Sequence, residues 1–434
     1  MTIIDCATTI EPHWKWPSYN FVSQSYDNGD EFQEFGLKWI GNGFSFVTSP
    51  GWRKEGGKRL DDYPLDRFAA VAAVIDLTDV GDKASIDRAV LEKHAGTAGR
   101  SIAVLKTGFA ERITNRKTEY WSEAPTLHAD VADWCQASGV GLLVVDFPCD
   151  EGASVACHRQ LNALDVLLVQ NAKGLSAIRQ NEVFFVALPL RLPEANASPV
   201  RPIAFTEWPS DKPRFLDVSV PLTNHWRWKL DVFDGPSFAK GDDREETHFI
   251  FGGHGFTHFD APCHMERDGA SVQELPNWGL DQFIQSASLI DLSDMPLPSP
   301  VTRDLLQERG AHLRRGDLII LRSDLTNRVG YPSREWHLKA PNLEVPAADW
   351  LTTFEPAAIC LDFPQDYVAR EMPDRFVANP EFVAHHAILG RGIPFIEDLR
   401  DLGAISTPHC FLMAVPLKMT NLDSAPMRVV AVEW

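Results

Sequence analysis

Short apolar runs alternate with amphipathic segments along the whole chain. The runs VAAVIDLT, RSIAVLKT and GLLVVDF have strand length and many β-branched residues, whereas SIDRAVLEKH and HADVADWCQA carry apolar residues at helical spacing. This alternation of strands and helices predicts an α/β fold. The apolar runs GLLVVDF, DVLLVQ and DLIILRS are too short to span a bilayer, so no membrane segment is expected.

The pattern occurs twice. IDLTD, starting at residue 75, returns as IDLSD at residue 290, and SPVRPIAF, starting at residue 198, returns as APMRVVAV at residue 425. VDFP and LDFP lie between these pairs, and the order of all the repeated segments is the same in both halves. The sequence therefore predicts two tandem copies of one α/β domain.

The repeat also predicts where the copies divide. A proline-containing, charged segment at Glu207 to Pro213 has the composition of a linker. A boundary in this linker divides the chain into a first domain of residues 1–208 and a second domain of residues 209–434.

The second copy carries an additional segment. Asp146 and His158 of the first copy correspond to Asp362 and His385 of the second, and the stretch between the latter two is longer. We expect the added residues, around Tyr367 to Phe382, to form a wall or lid near the functional site, because they directly precede His385.

Composition narrows the class of protein. The 434 residues include 41 Lys and Arg against 60 Asp and Glu, a net charge of −19, which argues against binding to nucleic acid. The seven cysteines are scattered and form no Cys-x-x-Cys pair, and the first twenty residues lack the features of a secretory signal, so a cytoplasmic location is expected. The sequence contains no phosphate-binding glycine loop, no nucleophile elbow and no dinucleotide fingerprint. It therefore gives no support for a nucleotide cofactor.

One segment of the second half concentrates residues that bind metals. In GGHGFTHFDAPCH, the residues His254, His258 and Asp260 alternate so that they share one face of an extended chain. Two imidazoles and a carboxylate suit a divalent transition metal such as Zn or Mn. The competing interpretation is a group of solvated or core polar residues. The metal is favoured because burying so many titratable groups without a cation is costly.

The first half provides an internal comparison. In its matching segment, GNGFSFVTSPGW, the glycine, phenylalanine and proline framework is kept, but every potential ligand is replaced. The replacements for His254, His258, Asp260 and His264 are, in order, Asn42, Phe46, Thr48 and Trp52. This selective loss indicates that the second half carries the function.

A second candidate group lies in VAHHAILGRGIPFIEDL. Glu397 ends an apolar strand and corresponds to Gln170 in the first half, whereas His385 corresponds to His158 and is the weaker candidate by this comparison. A carboxylate at that position needs a cation or an arginine unless the strand end is exposed to water.

Residues present in both halves are interpreted as structural. Asp291, Asp362 and Arg428 correspond to Asp76, Asp146 and Arg201 and are assigned to the framework. The tryptophans Trp226, Trp228 and Trp278 are assigned to the core rather than to a ring-binding pocket. His225, within the aromatic run NHWRW, is left open.

At these residues the chain resembles the cyclase superfamily, which includes bacterial kynurenine formamidase and isatin hydrolase. The signature His-x-Gly-Thr-His-x-Asp-x-Pro-x-His is matched by His254, Thr257, His258, Asp260, Pro262 and His264. Phe256 stands where the family has glycine. The spacing of His385 and Glu397 is also similar.

The resemblance implies a swivelling β/β/α fold, a bound Zn or Mn, and hydrolysis of a C–N bond in a small cyclic or aromatic carbonyl compound. It implies that His254, His258 and Asp260 hold the metal, that His385 and Glu397 complete a second or adjacent position, and that His264 transfers protons. Because family members are commonly homodimers, the chain is expected to form an intramolecular pseudo-dimer, with further homo-oligomerisation left open.

Two questions stay open at this point. Thr257 either orients a ligand or substrate or has a structural role, since Ser45 keeps the hydroxyl in the first half. The same metal and histidine also suit a cyclase, dehydratase or isomerase, and a degenerate binding protein is a third alternative that the complete residue set of the second half disfavours.

Overall fold

The computed structural model describes residues 1–95, 99–149, 152–209, 213–420 and 422–434. The predicted linker at Glu207 to Pro213 lies partly outside these residues. The strands of the first half are β1 Ile3–Asp5, β2 Tyr19–Gln24, β3 Glu34–Ile40, β4 Phe46–Thr48, β5 Ala69–Asp76, β6 Ser85–Ile86, β7 Ile102–Lys106, β8 Thr126–Leu127, β9 Leu142–Val145, β10 Leu167–Gln170, β11 Glu182–Val186, β12 Ala197–Pro199 and β13 Ile203–Phe205. Those of the second half are β14 Arg214–Asp217, β15 Leu230–Asp234, β16 Thr247–Gly252, β17 His258–Asp260, β18 Ile284–Asp291, β19 Pro300–Val301, β20 Leu318–Arg322, β21 Asn342–Leu343, β22 Ile359–Leu361, β23 Phe395–Glu397, β24 His409–Pro416 and β25 Ser424–Glu433.

The α-helices are short and connect the strands. They are α1 Arg88–His94, α2 Phe109–Arg112, α3 Glu119–Ser122, α4 Val131–Ser138, α5 Ser154–Ala163, α6 Leu280–Phe283, α7 Arg303–Arg309, α8 Arg334–Leu338, α9 Val345–Thr352 and α10 Val383–Leu389. Among the described residues, no helix has both the length and the apolar character needed to cross a membrane.

The chain forms two compact units that each include a segment from the other half of the sequence. Unit 1 consists of Met1–Tyr19, Lys38–Asp211 and Val232–Phe249, and unit 2 of Asn20–Leu37, Lys212–Asp231 and Ile250–Trp434. Residues 20–37 thus belong with the second copy. The division into residues 1–208 and 209–434 follows the sequence repeat and stays a prediction.

Each unit is built on one mixed sheet with helices between its parallel strands. In unit 1 the order is β1-β13-β11-β5-β7-β9-β10-β4-β12, with β5, β7, β9 and β10 parallel. In unit 2 the order is β14-β25-β17-β23-β22-β20-β18-β24, with β18, β20, β22 and β23 parallel. These parallel strands are the buried apolar runs of the sequence. The α/β architecture and its duplication are therefore present as predicted.

The last strand of unit 2 closes the sheet. The ten-residue strand β25 pairs with β14, β17 and β24, so it joins both ends of the strand order. In unit 1 the corresponding chain is divided into β12 and β13, and Pro202 lies in the interruption. A proline has no N–H to donate to a neighbouring strand, which accounts for a break at this position.

The framework residues have matching contacts in both units. The buried carboxylate of Asp362 accepts hydrogen bonds from the backbone of Ser323 and Asp324, and that of Asp146 accepts bonds from Thr107 and Gly108. Burial raises the pKa of both carboxyls to about 7. Their repeated geometry agrees with a structural role.

Candidate metal centre and active site

The register of β17 sets the direction of the candidate ligands. His258 lies opposite Glu397 on β23 and Pro426 on β25, and Asp260 lies two residues further along the same strand. Because residues two apart in a strand point to the same face, His258, Asp260 and Glu397 share one side of the sheet. In unit 1 the equivalent pairing joins Phe46 on β4 to Gln170 on β10.

The loop before β17 orients His258. Phe256 has a φ of 64°, in the left-handed region where glycine is favoured, and its carbonyl oxygen lies 2.7 Å from Nδ1 of His258. Nδ1 therefore carries a proton and donates it to this carbonyl, so Nε2 is the nitrogen that could bind a cation. The Nε2 atom is buried, has no hydrogen-bond partner, and lies 3.0 Å from Oδ1 of Asp260.

Asp260 is the centre of the cluster. Its Oδ1 lies 2.9 Å from Nδ1 of His254, and its Oδ2 lies 3.8 Å from Nε2 of His385. The same Nε2 of His385 lies 3.5 Å from Oε1 of Glu397. Two groups, His254 with Asp260 and His264, and His258 with Asp260 and Glu397, have ligand atoms within 4.8 Å of one another. Both groups include Asp260, and each set of donors suits a divalent cation.

His264 is held by two oxygen atoms. Its Nδ1 lies 2.8 Å from the carbonyl oxygen of Gln33 and 3.0 Å from Oδ2 of Asp423. Since both neighbours are acceptors, Nδ1 carries the proton and Nε2 is the basic nitrogen. Asp423 also accepts from Nε2 of His254, at 2.6 Å, while its Oδ1 is buried without a partner.

The acidic and basic side chains of the cluster shift each other's pKa values strongly in opposite directions. Burial would raise the pKa of Asp260, but the facing imidazoles of His254 and His258 outweigh it and hold this pKa well below its usual range. Burial would lower the pKa of His254, but Asp260 and Asp423 raise it well above the usual value. The charge of the buried carboxylates is therefore balanced by the neighbouring histidines, a balance that a bound cation would also provide.

A cavity of about 560 Å³ opens onto these residues, and every residue that lines it belongs to unit 2. Phe32 and Glu34 reach it from the segment of residues 20–37. The wall also includes residues from Ala369 to Val377 and Phe382, within the additional segment of the second copy, which lies beside the site as expected.

Unit 1 has the same elements without the ligands. Thr48 and His158, the counterparts of Asp260 and His385, hydrogen-bond to each other at 2.9 Å. Phe46 and Trp52 are fully buried with ring centroids 6.3 Å apart. Apolar packing thus replaces the charged cluster in this unit.

The family model described as putative cyclase matches residues 43–150 and 208–365, which together are more than half of the chain. The chain belongs to the cyclase family. The model covers part of each copy, so both copies of the domain are represented.

Curated relatives of this cyclase-family chain match about half of its length. Kynurenine formamidase of Geobacillus thermodenitrificans is 30% identical over 224 residues, which are 51% of this chain and 88% of that protein. The enzyme of Bacillus cereus strain ATCC 14579 is 27% identical over 224 residues, 50% of this chain and 96% of that protein. The prediction of a cyclase-family hydrolase is confirmed by these relatives.

Solved structures that resemble the chain also cover about half of it. An isatin hydrolase bound to the product analogue thioisatinate has a TM-score of 0.44 and 18% identity, over 51% of this chain and 92% of that one. Isatin hydrolase A from Ralstonia solanacearum has a TM-score of 0.42 and 22% identity over the same shares.

The structure brings six of the seven predicted site residues of this cyclase-family chain together: His254, His258, Asp260, His264, His385 and Glu397. Thr257 is different. Its hydroxyl accepts from the backbone N–H of Val220 and donates to the carbonyl oxygen of Asp398, both at 2.8 Å, and it does not line the cavity. Ser45 makes the equivalent bonds in unit 1, which favours the structural role for Thr257 over a role in orienting a ligand or substrate.

Four further residues of the site were not predicted: Gln33, Gln365, Asp366 and Asp423. Asp366 accepts from Nδ1 of His385 at 2.5 Å, and Nε2 of Gln365 donates to Oε1 of Glu397 at 2.5 Å. The alignment that matches Glu397 with Gln170 also matches Asp423 with Asn196, so the comparison of the two halves contained the signal for Asp423.

Proposed function

We propose that the chain is a metal-dependent hydrolase that cleaves the C–N bond of an amide, lactam or formamide in a small cyclic or aromatic carbonyl compound. The observation that carries the proposal is the buried, partnerless Nε2 of His258, directed toward the carboxylates of Asp260 and Glu397. A neutral imidazole with its other nitrogen fixed by a carbonyl is the usual form of a histidine ligand.

His254, His258 and Asp260 would hold one divalent cation, Zn or Mn, and Asp260 with His385 and Glu397 would hold a second or adjacent one. When bound, the cation would supply Lewis acidity, which lowers the pKa of water toward about 7 and polarises a carbonyl group. Asp366 orients His385 through Nδ1, and Asp423 orients His254, so both histidines are fixed before a cation binds.

His264 would carry the proton transfer. With its Nδ1–H held by Gln33 and Asp423, Nε2 is available to accept a proton from the attacking water and to return it to the leaving nitrogen. Asp423 would stabilise the imidazolium that forms between these two events.

The experiment is a product analysis. The metal-loaded protein is incubated with formamides, lactams and cyclic imides, and the masses of the products are measured by mass spectrometry. Hydrolysis adds one water in total: a lactam or cyclic imide gives a single ring-opened acid heavier by one water, and a formamide gives the free amine together with formate. Formation of these products by the wild type and not by His264→Gln supports the proposal. A product of unchanged mass, or one lighter by a water, would instead assign an isomerase or dehydratase and contradict it.

A further inference from the structure

An arginine in the wall of the cavity has no carboxylate partner. Arg227 lines the cavity together with the metal-centre residues, and among the described residues it makes no ion pair. Its Nη1 has only the thioether sulfur of Met372 as a partner, at 3.2 Å, and its Nε is buried with none. A guanidinium has five N–H donors, so most of its hydrogen-bonding capacity is unused.

The other arginine of the cavity wall is neutralised. Arg375 pairs with both Glu371 and Glu381, at 2.6 Å each. Arg227 instead lies over the ring of Trp228, with its guanidinium carbon 4.5 Å from the ring centroid. This contact holds the guanidinium plane against the ring, and Arg227 lines the cavity wall.

The acidic groups near Arg227 are occupied elsewhere. Glu34 and Asp398 lie beyond ion-pair distance of Arg227. Burial lowers the pKa of Arg227, and the charges of these two residues offset only part of that lowering. Glu34 accepts from Nε2 of Gln24 at 2.7 Å, and Asp398 accepts from the hydroxyl of Tyr331 at 2.6 Å. The nearby His337 carries no charge, because burial and the positive charge of Arg227 hold its pKa well below the usual value.

A basic residue at this position is not by itself a substrate contact. Its counterpart in unit 1 is Lys15, whose Nζ lies 4.7 Å from the ring centroid of Trp121. What distinguishes Arg227 is its location in the wall of the cavity that contains the candidate metal centre. A partly buried charge with unused donors is stabilised when an anion enters.

We propose that Arg227 binds a carboxylate on the substrate, so that the enzyme acts on an anionic aromatic amide or formamide. The inference rests on the proposed function and adds the substrate class. The carboxylate pairs with the guanidinium while the scissile C–N bond lies at the metal centre. Phe32, Trp228 and Trp336 supply apolar surface to the same cavity, so Trp228 is a pocket residue and not the core residue that the sequence predicted.

The test compares 2-formamidobenzoate with its neutral analogue 2-formamidobenzamide. The wild type is expected to prefer the carboxylate in kcat/KM, and Arg227→Met is expected to lose about tenfold or more of this preference through KM, with the metal content kept. Arg227→Lys keeps the charge and is expected to restore part of it. Arg303→Met, at an exposed helix position outside the cavity wall, removes the same charge and is expected to leave the ratio unchanged.

A binding measurement separates this inference from the proposed function. Calorimetric titration with 2-aminobenzoate is expected to show binding that weakens about tenfold or more in Arg227→Met and not in Arg303→Met. If the wild type hydrolyses neither these compounds nor the lactams and cyclic imides of the product analysis, the proposed function fails, while this titration still decides the anion site. Equal affinity in wild type and Arg227→Met, or an unchanged carboxylate preference in the variant, overturns the inference.

Discussion

Replacing Thr257 by valine tests whether its hydroxyl is part of the framework or of the catalytic machinery. The hydroxyl joins the N–H of Val220 to the carbonyl of Asp398, and all three residues are buried. Valine has nearly the same shape, so no cavity forms, but two buried backbone groups lose their partner. Each such loss costs about 1–3 kcal/mol, so Thr257→Val is expected to lower the free energy of unfolding by about 2–6 kcal/mol.

Thr257→Ser is the matched control. Serine keeps the hydroxyl, as Ser45 does in unit 1, and loses one buried methyl group, which costs about 1 kcal/mol. Urea unfolding followed by tryptophan fluorescence measures both variants, and kcat is measured under conditions where each is folded. A Thr257→Val protein with wild-type stability and a kcat reduced a hundredfold would refute the framework assignment and restore a catalytic one.

Three further predictions follow from the geometry of the two units. His264→Gln is expected to keep the metal and lose turnover, so a variant with full activity would remove the assigned role. Asp423→Asn weakens the orientation of His264 and is expected to reduce kcat by about 10–100-fold, which steady-state kinetics at constant metal content measures. Burial lowers the pKa of His158 to about 3 from an ordinary value of 6.5, so the unfolded state takes up a proton as the pH falls and the native state does not. The wild type should therefore lose about 2 kcal/mol of stability relative to His158→Gln between pH 7 and pH 5, and parallel stability curves would contradict this.

The sequence repeat predicted the fold because residues at equal spacing in the two halves occupy equivalent positions in equivalent strands. The repeat aligned Phe46 with His258, and in the structure both pair with the same neighbouring strands of their own units. The same alignment matches HWKW at His13 with HWRW at His225, which settles the histidine left open by the sequence. In both units its Nδ1 accepts two backbone N–H groups of this motif, so His225 belongs to the framework.

The departure at Phe256 also has a local explanation. The backbone at this position is left-handed, a conformation that favours glycine, and this chain adopts it with phenylalanine in both units, at φ values of 64° for Phe256 and 53° for Phe44. Buried contacts hold it in place: the backbone N–H of Phe256 donates to the hydroxyl of Tyr331, and its ring is nearly inaccessible. The substitution therefore leaves the loop that orients His258 intact.

What the sequence could not predict depends on contacts between distant segments. Gln33 lies 231 residues before His264 and contacts it through its backbone carbonyl oxygen. Every residue has such an oxygen, so no residue type in the sequence indicates this contact. The inclusion of residues 20–37 in unit 2 was missed for the same reason, because hydrophobic periodicity reports an element and not its neighbours. Asp423 could have been predicted from the sequence. Asn196 replaces it in the first half, and the same kind of replacement, Gln170 for Glu397, identified Glu397 as a candidate.

The most direct test of the metal centre is the metal content of three proteins: wild type, His258→Gln and His158→Gln. His158 is a buried histidine of unit 1 at the position equivalent to His385, so its variant controls for the loss of any buried histidine. Elemental mass spectrometry should find about one or two Zn or Mn ions per chain in the wild type and in His158→Gln, and a clear loss in His258→Gln. No metal in the wild type after resupply, or equal metal in His258→Gln, would contradict the account.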